Sequence, residues 1–101
     1  MEDNKVYIDQ DLEILIPGYI ENREEDIKKI KELISEEDFD KIRVIGHSMK
    51  GSGGGYGFDY ITEIGREIET AAGNQKISKI EKLLDDLEKY LNNVKIEYIE
   101  K

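Results

Sequence analysis

Four successive segments of the chain carry apolar residues at every third or fourth position, and very little sequence is left to connect them. The stripes comprise Ile20, Ile27, Ile30 and Ile34; Ile42, Ile45, Met49 and Tyr56; Phe58, Ile61, Ile64 and Ile68; and Ile77, Ile80, Leu84, Leu87 and Leu91. This spacing places the apolar side chains on one face of an α-helix, so each segment must bury that face against another. Four such helices with short connections predict an all-α, antiparallel, up-down four-helix bundle with a short extra N-terminal segment.

The boundaries of the predicted elements are marked less sharply than the stripes. Asp38 and Asp40 are both candidate N-caps for the second helix, because a carboxylate there can accept a backbone hydrogen bond. No change in composition marks a linker, so residues 1–101 are predicted to form a single domain. Val6–Ile8 and the tail "KIEYIEK" both favour extended structure, and the sequence leaves open whether they pair.

The charge balance and the missing cysteines exclude several classes of function. The chain carries 24 acidic against 15 basic residues, a formal net charge of −9, which argues against binding a nucleic-acid backbone. It has no cysteine, so disulfides, thiolate metal sites and thiol catalysis are excluded together. No apolar run is long enough for a signal peptide or a membrane span. We therefore predict a soluble, monomeric protein of the cytoplasm with neither a membrane nor a nucleic-acid partner.

The stretch "GHSMKGSGGGYGF" interrupts the helical pattern. It contains the only histidine, His47, and six of the nine glycines. Each glycine inside a helix costs about 1 kcal/mol relative to alanine. Such a concentration in a small domain predicts either a long loop or a surface that another molecule approaches closely. The run Gly53–Gly55 favours an early end of the second helix, near Ser52, and leaves the positions of Gly54 and Tyr56 open.

A helical projection of the second segment places the histidine away from the apolar stripe. At about 100° per residue, His47 lies about 140° from the first apolar position of that stripe. The residues that share this outward face are Arg43, Lys50, Gly51 and Gly54. A ring in this position projects into solvent, and the neighbouring glycines leave clearance for a docking partner.

An exposed histidine beside a lysine and glycines can accept a phosphoryl group. A neutral imidazole nitrogen is nucleophilic near neutral pH. A nearby ammonium group, here that of Lys50, offsets the charge of the transferring oxygens. The missing side chains at Gly51 and Gly54 let a phosphorylated loop of another protein reach the ring.

The segment "HSMKGSGGGYG" resembles the signature of the histidine-containing phosphotransfer (Hpt) domain family, which runs H-x-[LM]-K-G-[SA] followed by small residues and a glycine. The residues in the signature positions are His47, Met49, Lys50, Gly51 and Ser52. The downstream segment "ITEIGREIETAA" resembles the family's next helix, in which Ile68-Glu69 forms the apolar–acidic pair. The resemblance extends over about residues 12–92, and it agrees with the bundle predicted from the stripes.

The resemblance implies a phosphoryl carrier without catalytic activity of its own. His47 would be the phosphorylated residue, Lys50 the cation that contacts the phosphate, and Gly51 the position that keeps the approach open. Gly54 would share that role through its place on the same face, and Arg43 would add to a locally basic docking patch. The implied partners are receiver domains of response regulators or of hybrid histidine kinases, which give and take the phosphoryl group through an aspartate. No cofactor or metal is expected in this chain, and the receiver would supply Mg²⁺.

Two other functions are compatible with the same sequence. A helical docking module could present this face to a signalling protein without being phosphorylated, although such a surface does not require His47, Lys50 and Gly51 together. The chain could also be the phospho-accepting segment of a longer kinase. No part of it resembles an ATP-binding domain, so a kinase acting on it would be a separate protein.

Glycine-rich phosphate loops and metal sites fit the sequence poorly. The glycine spacing of a P-loop is present, but Ser52 stands where that motif requires lysine. A di-iron bundle requires Glu three residues before a histidine, where Val44 stands. The acidic pairs of the helices, such as Glu67 and Glu69, are interpreted as solvated faces of the bundle.

Overall fold

The computed structural model describes residues 5–100, so residues 1–4 and 101 of the predicted domain lie outside the described part. The regular elements in chain order are strand β1 (Lys5–Asp9), helices α1 (Ile16–Ser35), α2 (Phe39–Gly53), α3 (Asp59–Gly73) and α4 (Ile77–Asn93), and strand β2 (Lys95–Ile99). Two short 3₁₀ helices, Gln10–Leu15 and Gly54–Tyr56, precede α1 and follow α2.

The four helices pack so that each contacts the next and α1 also contacts α4. Their apolar stripes meet in one core, whose fully enclosed side chains include Ile30, Ile42, Met49, Ile61, Ile68, Ile80 and Leu87. Among the described residues, this core holds no buried charged side chain. The predicted all-α four-helix bundle is confirmed. None of the helices in residues 5–100 combines the length and the apolar character that crossing a membrane requires.

Both ends of α2 follow from local sequence chemistry. The helix begins after Asp38, whose carboxylate accepts a hydrogen bond from the backbone N–H of Lys41 at 3.2 Å. It ends at Gly53, one residue beyond the predicted end, and the chain continues through a 3₁₀ turn. Gly57 then adopts a left-handed conformation with φ of 97°, which glycine reaches without steric cost.

Tyr56 is not part of the stripe of α2, so that element of the sequence prediction is wrong. It lies in the 3₁₀ turn after the helix, and its ring stacks on Tyr19 of α1 with 4.3 Å between ring centres. Phe58, predicted as the first stripe residue of the third helix, is the fully buried residue just before α3. Its ring stacks on the same Tyr19 at 5.8 Å. The glycine-rich turn therefore leads directly into an aromatic cluster that closes this end of the core.

Three glycines bring α2 and α3 into backbone contact. A Cβ added to Gly46 would lie 2.8 Å from the backbone nitrogen of Glu69, and one added to Gly53 would lie 2.6 Å from that of Thr62. A Cβ on Gly65 of α3 would lie 2.5 Å from the backbone nitrogen of Lys50. Clearance for a partner therefore does not explain the whole glycine-rich stretch. Two of its glycines are needed for the packing of the bundle itself.

A polar cluster ties α1 to the last turn of α2. The hydroxyl groups of Tyr19 and Ser52 lie 2.9 Å apart. The guanidinium of Arg23 stacks over the Tyr19 ring, 4.4 Å from its centre, and donates through Nε to Asp26 at 2.8 Å. Burial raises the pKa of Asp26, although Arg23 opposes that shift. Ser52 of the motif therefore serves the contact between α1 and α2.

The two terminal strands pair with each other, which the sequence had left open. β1 and β2 are parallel, with Lys5 opposite Lys95 and Asp9 opposite Ile99. Ile8 of β1 is 1% exposed and packs against the turn at Gly57, where an added Cβ would lie 2.9 Å from its side chain. The strand pair thus covers the end of the bundle at which α2 connects to α3.

Candidate functional site

The histidine lies on the outward face of α2, as the helical projection predicts. The side chain of His47 is 68% exposed, whereas Ile42 and Met49 on the opposite face are completely buried. Because α2 is continuous from Phe39 to Gly53, the exposed ring stands on a regular helix and not on a loop. The ring is therefore carried by a regular, hydrogen-bonded helical backbone.

Glu69 of α3 bridges the two basic side chains of the motif. Its Oε2 lies 3.0 Å from Nδ1 of His47, and its Oε1 lies 3.0 Å from Nζ of Lys50. Only 23% of the Glu69 side chain is exposed, because it fills the space between the two helices. The interpretation of this residue as part of a solvated face is wrong.

The close approach of α2 and α3 makes this bridge possible. Gly46 lies against the backbone of Glu69, and Gly65 lies against that of Lys50. A larger residue at either glycine would push the helices apart and would lengthen the two contacts of the carboxylate. The glycines at the helix contact therefore set the geometry of the exposed site.

The bridge fixes the ionisation of the carboxylate and the tautomer of the ring. The hydrogen bond from Lys50 is the largest influence that lowers the pKa of Glu69; partial burial opposes it, and the hydrogen bond from His47 reinforces it. A carboxylate only accepts hydrogen bonds, so Nδ1 of His47 carries the proton that lies between them. In the neutral ring, the lone pair is therefore on Nε2. Within residues 5–100, Nε2 has no hydrogen-bond partner.

The model of the Hpt domain family matches residues 15–97 of the chain. The chain belongs to the Hpt domain family. Searches of curated proteins and of solved structures return no match. Hpt domains are phosphocarrier modules of histidine phosphotransfer in phosphorelays, where they interact with receiver domains. The resemblance inferred from the motif around His47 is confirmed at the level of the family.

In this Hpt domain, the other predicted site residues occupy three different environments. The side chain of Lys50 is 33% exposed and is held by Glu69. No atom lies within 4 Å of a Cβ added at Gly51, so the space above this turn of α2 is open. Gly54 lies beyond the end of α2, and its N–H donates to the Thr62 hydroxyl at 2.8 Å. Gly54 is exposed but belongs to the connecting turn.

Arg43 and Val44 extend the exposed face toward the start of α2. Arg43 lies one turn before His47, and its side chain reaches Gly73 at the end of α3, with Cδ 3.8 Å from an added Cβ. Val44 is 64% exposed although it is apolar. It lies three positions before His47, so both side chains project from neighbouring turns of one face. The site predicted from the sequence does not include Val44.

The sequence contained a signal for Glu69 that was not used for the site. The pair Ile68-Glu69 was part of the family resemblance, and Ile68 is fully buried, which places the next residue at the edge of the α2–α3 contact. Its distance from the histidine could not be inferred, because 22 residues and a turn separate them. Among residues 5–100, no cluster of three or more acidic, histidine or cysteine side chains is arranged to bind a metal ion.

Proposed function

We propose that this Hpt domain accepts a phosphoryl group on Nε2 of His47 from the aspartyl phosphate of a receiver domain, and passes it to the aspartate of another receiver. The observation that supports this proposal is the orientation of an exposed ring whose Nδ1 is engaged by Glu69 while Nε2 is left for reaction. A surface used only for docking does not need this arrangement.

The transfer requires no proton to enter or leave the ring. The Nε2 lone pair attacks phosphorus, the P–O bond to the receiver aspartate breaks, and that carboxylate departs with the bonding electrons. The ring then carries the phosphoryl group on Nε2 and a proton on Nδ1, so it gains a positive charge. The carboxylate of Glu69, 3.0 Å from Nδ1, stabilises this charge as it develops. Attack by a second aspartate on phosphorus reverses every step.

Lys50 is the proposed phosphate-contacting cation. Its ammonium group is held 3.0 Å from the carboxylate that also holds the histidine, one helical turn away. An ammonium group placed there offsets negative charge on the phosphoryl oxygens during the transfer. Glu69 is thus a positioning residue for the nucleophile and for the cation together.

The outer face of α2 is the proposed docking surface for the receiver. Gly51 on α2 and Gly55 in the turn that follows this helix have open space where side chains would stand, which leaves room for the loops around the receiver's aspartate. Val44 gives this surface an apolar contact next to His47, and Arg43 gives it a positive edge. The receiver would bring the acidic residues and the Mg²⁺ that bind the phosphoryl oxygens before attack.

A transfer experiment with two phosphoryl donors tests the proposal. The purified protein is incubated with a phosphorylated receiver and Mg²⁺, and separately with phosphoramidate, a small donor that phosphorylates histidine without docking. We expect acid-labile, base-stable phosphate on His47 in both reactions, located by fragment mass spectrometry and absent in His47→Gln. Labelling by phosphoramidate without transfer from any receiver would contradict the proposed donor. Failure of both reactions in a correctly folded protein would instead favour a docking module that is not phosphorylated.

A further inference from the structure

A second surface feature lies on the other side of α3. α3 and the start of α4 enclose a groove of about 470 Å³. Its floor includes Ala71, which is 4% exposed, and its walls include Thr70 and Asn74. Glu69 projects from α3 toward α2, whereas these residues face α4, so the groove is separate from the histidine site.

The rim of the groove carries net positive charge, whereas the protein as a whole carries net negative charge. The basic residues on the rim are Arg66, Lys76 and Lys79, against a single carboxylate, Glu67. In the whole chain, acidic residues outnumber basic ones by 24 to 15. Lys79 pairs with Glu67 at 3.4 Å and Arg66 pairs with Glu63, whereas Lys76 has no carboxylate within ion-pair distance in residues 5–100. Three cations against two carboxylates leave the rim with one net positive charge, that of Lys76.

Lys76 stands where its charge does not help the fold. It is the N-cap residue of α4, and the first turn of that helix contains no acidic residue and no side-chain cap. A cation at the start of a helix opposes its dipole, because the first N–H groups already carry positive charge. The ion pair with Glu67 explains Lys79, whereas the stability of the bundle does not explain Lys76.

We infer that this groove binds an acidic segment of a partner protein, one that carries carboxylates on both sides of an apolar side chain. The apolar side chain would pack over Ala71, one carboxylate would meet the ammonium group of Lys76, and a second would compete with Glu63 for the guanidinium of Arg66. The apolar lining favours a protein segment over a nucleic acid, since a phosphate backbone has no apolar side chain to place in the groove. The inference does not depend on phosphotransfer at His47.

A peptide titration tests the inference directly. A short synthetic peptide of glutamate and leucine is added to ¹⁵N-labelled protein, and a lysine–leucine peptide of equal length serves as the control. We expect the acidic peptide to shift the amide signals of Thr70, Asn74 and Lys76, with binding that weakens as salt is raised. Equal binding of both peptides, or shifts confined to other surfaces, would overturn the inference.

Two variants of equal charge separate local recognition from overall repulsion. Lys76→Glu with Lys79→Glu should weaken acidic-peptide binding about tenfold more than Lys28→Glu with Lys29→Glu on α1. Glutamates in the first turn of α4 also suit its dipole, so the groove variant should remain folded, as circular dichroism can verify. Equal weakening in the two variants would overturn the inference. So would binding of a DNA oligonucleotide or of phosphatidylserine vesicles at the groove with no binding of the acidic peptide.

Discussion

Glu69 of α3 lies 3.0 Å from Nδ1 of His47 on α2, and its second oxygen lies 3.0 Å from Nζ of Lys50. One carboxylate therefore orients both the proposed nucleophile and the neighbouring ammonium group. The ring can be exposed for reaction and still be held in one orientation, because the group that holds it lies in the cleft between two helices. This arrangement combines the accessibility and the fixed orientation that the proposed phosphotransfer requires of His47.

Replacing the bridging carboxylate should slow phosphorylation without unfolding the protein. Glu69→Gln keeps the shape of the side chain but removes the charge that stabilises the developing imidazolium of His47. We expect the rate of labelling by phosphoramidate to fall about tenfold to a hundredfold. The control is Glu67→Gln, since Glu67 is an exposed residue of α3 that pairs with Lys79. Equal rates for wild type and Glu69→Gln would show that the carboxylate does not contribute to the reaction.

The stability contributed by the contacts of Glu69 with His47 and Lys50 should be lost when the pH is lowered. Because the pKa of Glu69 is lowered in the folded state, the bridge stabilises the fold above the ordinary value of 4.5. The stabilisation is lost as pH falls through the lowered pKa, where the carboxylate becomes protonated. Urea unfolding of wild type and Glu69→Gln at several pH values measures this. The difference in free energy of unfolding should be constant above pH 4.5 and should close below it; a difference that persists in acid would contradict the assignment.

Replacement by alanine should lower the free energy of unfolding at Gly65 and raise it at Gly51. Gly65→Ala forces a Cβ against the backbone of α2, where the nearest atom is 2.5 Å away, so it should lower the free energy of unfolding by about 1–3 kcal/mol. Gly51→Ala adds a methyl group to open space on a helix, so it should raise that free energy by up to about 1 kcal/mol. Urea unfolding with unchanged m-values measures both. Equal changes in the free energy of unfolding would mean that the close contact between α2 and α3 is not what distinguishes Gly65 from Gly51.

Val44 should affect transfer from the receiver but not the chemistry at His47. Val44→Asn puts a polar amide on the proposed apolar contact without adding a charge near His47, and it should lower the rate of transfer from a receiver about tenfold. Labelling by phosphoramidate, which needs no docking, should stay unchanged. Ile14→Asn is the matched control, because Ile14 is 86% exposed and lies outside α2. If both variants slow the receiver reaction equally, Val44 is not part of the docking surface.

The hydroxyl group of Tyr90 should not be needed for the stability of the fold. Its hydroxyl is buried without a hydrogen-bond partner in the described residues, and burial raises its pKa to about 12. Tyr90→Phe should therefore leave the free energy of unfolding unchanged or raise it by up to about 1 kcal/mol. Because the pKa is raised in the folded state, ionisation of this tyrosine in the unfolded chain lowers the stability of the fold as pH rises from 10 to about 12, so the variant should also resist alkaline unfolding better. The control is Tyr7→Phe, since Tyr7 is 57% exposed. A marked loss of stability in Tyr90→Phe would contradict the prediction.

The sequence by itself determined the four helices and the face on which the histidine stands. Both follow from the helical period, which is local: Ile42 and Met49 are buried, so a residue on the opposite side, such as His47, must be exposed. The early end of α2 followed equally from local chemistry, because successive glycines weaken a helix. The family motif added the roles that these positions are proposed to have.

Only the tertiary structure decided which residues meet across helices. Glu69 contacts His47 because Gly46 and Gly65 allow two backbones to approach, and helical periodicity does not reveal how closely two helices pack. The pairing of β1 with β2 likewise joins strands from opposite ends of the chain, which no local pattern specifies. The helical repeat of apolar residues along the chain fixes the direction in which each side chain projects. The distance between side chains of different elements depends instead on how the whole bundle packs.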